Sequence, residues 1–145
     1  IVDIICYFAD SPDVTGLYKV KLMKLMWYTD FLSYKLYDRA ITGLVYQALP
    51  MGAVPIGHDL MIDLNGIHYE EIDMGDGTAC RFLASEKKSY PSLMAEEKKV
   101  IDTVITRLGK MSTKDIVAFM HQEQAYRKTA FRDIISFQYA DTLLI

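Results

Sequence analysis

Acid–base or metal chemistry in this chain would have to come from its three histidines, its paired glutamates or its two cysteines. None has the spacing such chemistry needs. His58, His68 and His121 form no H-E-x-x-H or related metal-ligand pattern. His121-Gln122-Glu123 brings an imidazole near a carboxylate in sequence, but close neighbours on a helix point in different directions, which favours a structural or interface histidine. Glu70-Glu71 would face opposite sides of a strand, and Glu96-Glu97 sit at a helix start, where the dipole favours them. Cys6 and Cys80 make no C-x-x-C pair and read as small apolar packing residues in a reducing, cytoplasmic setting. No G-x-G-x-x-G, G-x-x-x-x-G-K-[ST] or G-x-S-x-G occurs, so neither a phosphate loop nor a serine-hydrolase elbow is supported. The expectation is a protein that is not an enzyme, without metal or cofactor.

Binding is the remaining chemistry. Lys19, Lys21 and Lys24 lie beside Tyr18, Trp27 and Tyr28, and basic plus aromatic residues can hold single-stranded nucleic acid. Yet 16 Lys+Arg against 19 Asp+Glu leave a net charge of −3, a poor balance for gripping a phosphate backbone. The lysines read more simply as the solvated side of an amphipathic helix. Tyrosine and methionine are abundant, at 10 and 8 residues, and both suit an adaptable contact surface as well as a core.

These residues must be positioned by one domain covering residues 1–145, long enough to bury roughly 68–70% of the surface its unfolded chain exposes. A 51% hydrophobic and 24% charged composition is that of a globular chain. No apolar run approaches the about 20 residues of a membrane span. The chain opens at Ile1, already inside an apolar segment, as expected of the C-terminal part of a longer protein.

Ile1, Ile4, Ile5 and Phe8 mark one helical face, ended at Asp10 to Asp13. The longest helical signal runs from about 18 to 37. Its apolar stripe is Tyr18, Leu22, Leu25, Met26, Thr29, Leu32, Ser33 and Leu36, with a polar stripe of Lys21, Lys24, Tyr28 and Lys35. A strand is expected over 45–49, followed by a turn at Met51 to Pro55. A hairpin is expected from 67–73 and 78–83 around Met74-Gly75-Asp76-Gly77. Ser92 should cap a helix whose apolar face is Val100, Ile101, Val104, Ile105 and Leu108, with Gly109 as its C-cap. Ser112 and Asp115 resemble a capping box before Ile116, Val117, Phe119 and Met120. Ser136 can cap a last helix carrying Tyr139, Ala140, Leu143 and Leu144. The fold class is α+β, mainly α, around a central helix with a small sheet.

Several segments carry family information. Lys21-Leu22-Met23-Lys24-Leu25-Met26-Trp27-Tyr28-Thr29-Asp30-Phe31 resembles the "K-L-x-K-L-L-Y-[FY]-A-[DE]" helix of the SocA-like Panacea antitoxin domain. Ile41-Thr42-Gly43, Tyr46-Gln47-Ala48 and Met51 to Pro55 resemble its "I-T-G", its strand and its "Y-G-P-V-P" turn. Leu93 to Val100, Met111 to Ala125 and Ile134 to Ala140 resemble its C-terminal helices and closing "I-S-Y-x-Y-A". Ala53 departs from the family's proline, Met51 from an aromatic residue, Tyr126 from Trp and Trp27 from Tyr.

The resemblance implies an antitoxin module that binds and neutralises a protein toxin encoded beside it. Leu17 to Tyr28 is most similar to the version fused behind a YgiT-type zinc-finger and helix-turn-helix region, so DNA contact would belong to a missing N-terminal region. Leu22, Leu25, Met26, Trp27, Gly43, His121 and Tyr139 are the family-motif residues expected to be structural. Tyr28, Tyr34, Tyr37 and Met51 could serve either core or partner. With Gly52, Val54 and Pro55 they make the candidate partner-binding set, the turn and its adjacent tyrosines occluding the toxin directly. A DNA-binding regulator and, further off, a small hydrolase are the alternatives, and a homodimer stays open.

Overall fold

The computed structural model describes residues 1–145. Its central element is α2 (Lys19–Tyr37), in which every residue from Lys21 to Ser33 is buried. The chain wraps this helix with α1 (Val2–Asp10), β1 (Tyr46–Leu49), β2 (Gly52–Pro55), α3 (His58–Met61), β3 (Tyr69–Asp73), β4 (Thr78–Phe82), α4 (Ala95–Leu108), α5 (Thr113–Met120), α6 (Gln124–Arg127) and a closing 3₁₀ helix, Phe137–Thr142. Helices α4 and α5, strand β2 and the closing turn all pack on α2. The fold is the expected mainly helical α+β arrangement with two small antiparallel sheets.

Enclosure on all sides overturns the two-stripe reading of α2. Lys21, Lys24 and Tyr28, expected on a solvated stripe, are fully buried with Leu22, Leu25, Met26 and Trp27. Leu36, expected inside, is 55% exposed, because the helix has by then run past its neighbours. Only Lys35 of the polar stripe stays at the surface, donating to the Ile145 carbonyl at 3.2 Å.

The first hairpin pairs Tyr46 with Pro55 through Leu49 with Gly52. Residues 52–55, expected as a turn, are therefore a strand, and the bend itself is Pro50–Met51. Gly52 has φ +112°, and a Cβ there would lie 2.7 Å from both the Lys24 Cε and the Met120 Sδ, so both conformation and packing require glycine. The outer edge of β1 is covered by a later segment, with Arg132 N–H donating to the Ala48 carbonyl and Ile135 N–H to that of Tyr46. The second hairpin forms where the sequence places it, Tyr69 against Phe82 through Asp73 against Thr78, slightly shorter than expected.

Local signals place the helix starts only in part. Helix α4 begins at Ala95, with the Glu97 carboxylate accepting from Met94 N–H at 2.9 Å. Ser92 instead donates its hydroxyl to Asp3 at 2.6 Å, tying α1 to the 85–92 loop. Asp10 strengthens that tie by accepting from Ser85 and Tyr90. Gly109 ends α4 in ordinary right-handed geometry, so its role is close approach: a Cβ would stand 2.4 Å from the Asp13 carbonyl oxygen. Ser112 caps α5 as expected, accepting from Asp115 N–H at 3.0 Å. Ser136 also caps, but the helix it opens is 3₁₀ rather than α and ends before Leu143. In α1, Ile4, Ile5 and Phe8 are buried as patterned while Ile1 is 39% exposed. No helix is long and apolar enough to cross a membrane.

Two substitutions check this packing. Leu25→Ala should lower the unfolding free energy by about 2–5 kcal/mol and Leu36→Ala by less than about 0.5, both read from urea denaturation. Gly109→Ala, which would ordinarily favour a helix end, should destabilise because the methyl meets backbone; an unchanged or raised midpoint would refute the close approach.

Candidate partner-binding site

The polar side chains of α2 are where sequence chemistry and structure meet. Lys21 donates to the Thr15 carbonyl and to that of Gly109, the latter at 2.6 Å. Lys24 donates to the Ala53 carbonyl at 2.9 Å and to no other group. Asp30 accepts from Ile41 N–H and Thr42 N–H, both at 2.9 Å, from the Thr42 hydroxyl, and from the Tyr46 hydroxyl at 2.7 Å. On the α5–α6 connection, buried Glu123 accepts from Leu144 N–H at 3.1 Å.

Burial sets their proton affinities. Desolvation pushes the Lys24 ammonium down to about 7 and that of Lys21 down to about 8. The Asp30 carboxyl is pushed up by burial, against the pull of its donors. Glu123 is likewise raised by burial, and the Tyr28 hydroxyl facing it is raised by burial and by that carboxylate. The Tyr28 hydroxyl and the Trp27 indole N–H complete no hydrogen bond of ordinary geometry. These groups are fixed in the interior, and the one that borders a groove, Lys24, is fully buried behind its wall. No group of three or more His, Cys, Asp or Glu residues is placed to hold a metal ion.

The expected binding residues that reach solvent lie elsewhere. Met51 is 50% exposed at the bend of the first hairpin. Beside it runs an open groove of about 390 Å³, lined by Val20, Met23, Leu49, Met51 and Val54 with Lys19, Lys24 and His58. The bend is held from beneath: the Tyr126 hydroxyl donates to the Leu49 carbonyl at 2.6 Å, and Ala53 N–H donates to the Met120 sulfur at 3.1 Å. Of the other expected binding residues, Gly52 and Pro55 are buried supports, and Val54 is half-buried in the groove wall. Tyr28 is buried and closed to a partner, because α2 has no solvated face there.

Tyr34 and Tyr37 lie toward the opposite end of α2, near a second groove with Leu36 and Phe137. At 1.5 Å per residue, Val20 and Tyr37 are about 25 Å apart along the helix, so the hairpin bend and these tyrosines form no single surface. Gly43, with φ +73°, turns the loop that Asp30 holds. His121 is half-buried and stacked on Tyr126, ring centroids 4.8 Å apart. Tyr139 is half-buried against the core. Sequence reasoning missed Val20, Met23, Lys19 and His58 as groove residues, since only the hairpin's return toward α2 brings them together. It weighed Glu123 only beside His121 and gave Asp30 no role of its own. Nine residues from Lys21, Asp30 lies on the opposite side of the helix, so helical periodicity carried no signal for it.

The site thus comes down to an anchored, half-exposed apolar bend on a buried helix wrapped by short helices and two hairpins. Residues 22–126 match the family described as antitoxin SocA-like, Panacea domain, and the chain belongs to that family. Membership supports an antitoxin-type role. No curated protein and no solved structure matches the chain.

The buried lysines make a pH test. A lysine whose folded pKa is depressed binds fewer protons folded than unfolded, so stability rises with pH between the two values, here from about 7 toward the ordinary 10.5. Lys24 alone should add on the order of 2 kcal/mol between about pH 7 and 9, and Lys24→Met should remove most of that rise. Above about pH 10 the trend should reverse, because buried Tyr28 and Tyr46 keep protons that the unfolded chain releases. Urea unfolding at stepped pH measures this. A flat wild-type profile would show that the ammonium is not held dry.

Proposed function

We propose that the domain neutralises a cognate protein toxin by direct binding, with the Pro50–Met51 bend and its adjoining groove as the docking surface. The observation that carries this is the anchoring of an exposed apolar bend. Met51 stands half in solvent on backbone fixed by Lys24, Tyr126 and Met120. A pre-fixed bend loses little conformational entropy on docking, which favours occlusion by a preformed surface. The similarity of Leu17 to Tyr28 to YgiT-type fusion proteins supports DNA contact through an upstream region rather than through this one.

Against a DNA-binding role for the domain itself stands the burial of Lys21 and Lys24, which leaves only Lys19 and Lys35 of the expected basic face near the surface. Binding of the domain to its own promoter with a steep salt dependence would overturn the proposal. The direct test is Met51→Glu in co-expression with the toxin encoded beside the gene. We expect a folded protein, with wild-type circular dichroism and melting, that no longer rescues growth, while Tyr37→Ala at the far end of α2 still does. Rescue by Met51→Glu would place the toxin elsewhere, and failure only of Tyr37→Ala would place it on the second groove.

A further inference from the structure

We infer that the free edge of β3 is a strand-addition site for a partner segment that is extended and carries basic side chains at alternate positions. The second hairpin carries this independently of the docking surface proposed above.

Hydrogen-bond phase shows which backbone groups of β3 are unused. Met74 N–H donates to the Gly77 carbonyl, and Leu83 N–H to that of His68. Both pairs share the register that sets Tyr69 against Phe82 and Asp73 against Thr78. Bonded pairs alternate along an antiparallel ladder, so Glu70 and Ile72 bond to β4. Tyr69, Glu71 and Asp73 turn their N–H and C=O groups to the other side. The same phase turns Phe82 outward on β4, where its N–H donates to the Leu17 carbonyl at 2.9 Å. The first hairpin is closed too, β1 by the segment from Arg132 to Ile135 and β2 by Lys24 and Met120 at Ala53. No segment of the chain bonds to the outward groups of β3. A row of alternating donors and acceptors at strand spacing fits an extended backbone.

Charge then selects among extended segments. The side chains of Tyr69, Glu71 and Asp73 share one face of the strand. Glu71 and Asp73 are exposed there and enter no ion pair. The Asp73 carboxylate accepts from Gly75 N–H at 2.8 Å within the turn, and that of Asp63 from the Tyr69 hydroxyl at 3.0 Å. Lys19, next to the Tyr18–Arg81 bridge, is already held by Asp59 at 2.5 Å. On the opposite face Glu70 is matched by Arg81 across the hairpin. In a bonded antiparallel pair the two side chains stand opposite each other, so a guest residue facing Glu71 or Asp73 is favoured when basic and opposed when acidic. A second copy is disfavoured for the same reason, because pairing two β3 strands along their full length sets Glu71 against Glu71.

Amide NMR tests both the backbone and the charge requirement. The ¹⁵N-labelled protein would be titrated with the blocked peptide Thr-Lys-Val-Lys-Val-Lys-Thr and with counterparts carrying Gln or Glu at the three Lys positions. Two further versions would be N-methylated, one at every Lys and one at both Val. We expect the Lys peptide to shift the amides of Tyr69, Glu71 and Asp73 and to slow their exchange with solvent. It should bind roughly tenfold more tightly than the Gln peptide, as two cross-strand charge pairs give, with the Glu peptide weaker still. Methylation at Lys removes the N–H groups that would face β3 and should abolish binding, whereas methylation at Val, facing away, should be tolerated. Glu71→Gln combined with Asp73→Asn should erase the Lys-over-Gln preference while the strand amides still respond. No response at β3, equal binding of the three charge types, or binding that survives methylation at Lys would each overturn the inference. So would shifts of the β3 amides that grow with the concentration of the protein alone, which would assign the edge to a second copy.

Discussion

A charged side chain buried in a protein must find partners there, and in this domain the partners are backbone groups of distant segments. Lys21 reaches the α1–α2 loop and the end of α4, Lys24 the first hairpin, and Asp30 the loop that leads into that hairpin. Each is therefore a pin between the central helix and a segment distant in sequence. Removing such a group exposes a carbonyl or amide with no water to replace it, and removing the partner strands a charge, which is the more costly outcome. Hydrophobic burial makes the domain compact, but these bonds decide where its loops sit.

That division explains what could be read from the residues. Strong local signals were legible: the α5 cap at Ser112, the glycine-rich second hairpin, the apolar phase of α4 and the length of α2. The interior position of Lys21, Lys24 and Tyr28 was not, because a helical period distinguishes faces only when one of them meets solvent. Here α4, α5, β2 and the closing turn cover α2 on all sides. Gly52 failed for a related reason. Its turn-like composition reflects the close passage of Lys24 and Met120, a contact far away in sequence. Ser92 carried a valid capping signal that Asp3 captured instead.

The same division separates family identity from partner choice. The letters that make the segment from Lys21 to Asp30 resemble its family are those that pin loops to the central helix, so they specify the scaffold. Of the four departures, Met51 and Tyr126 lie at the hairpin bend, one facing solvent and the other holding the bend in place, while Trp27 and Ala53 are buried. The scaffold therefore accommodates changes both at this bend and in its interior.

The bend combines two properties that usually oppose each other. Its backbone is fixed from three directions, by the Lys24 ammonium, the Tyr126 hydroxyl and the Met120 sulfur. Its outward group is Met51, whose unbranched side chain changes shape at little energetic cost. A rigid backbone limits the entropy lost on docking, and flexible side chains allow surfaces of different contour to be met. Because Lys24 fixes Ala53 from behind the groove wall, the interaction that holds the hairpin on the helix also holds the shape of the proposed docking surface. On the proposed reading, the buried lysine links the fold to recognition.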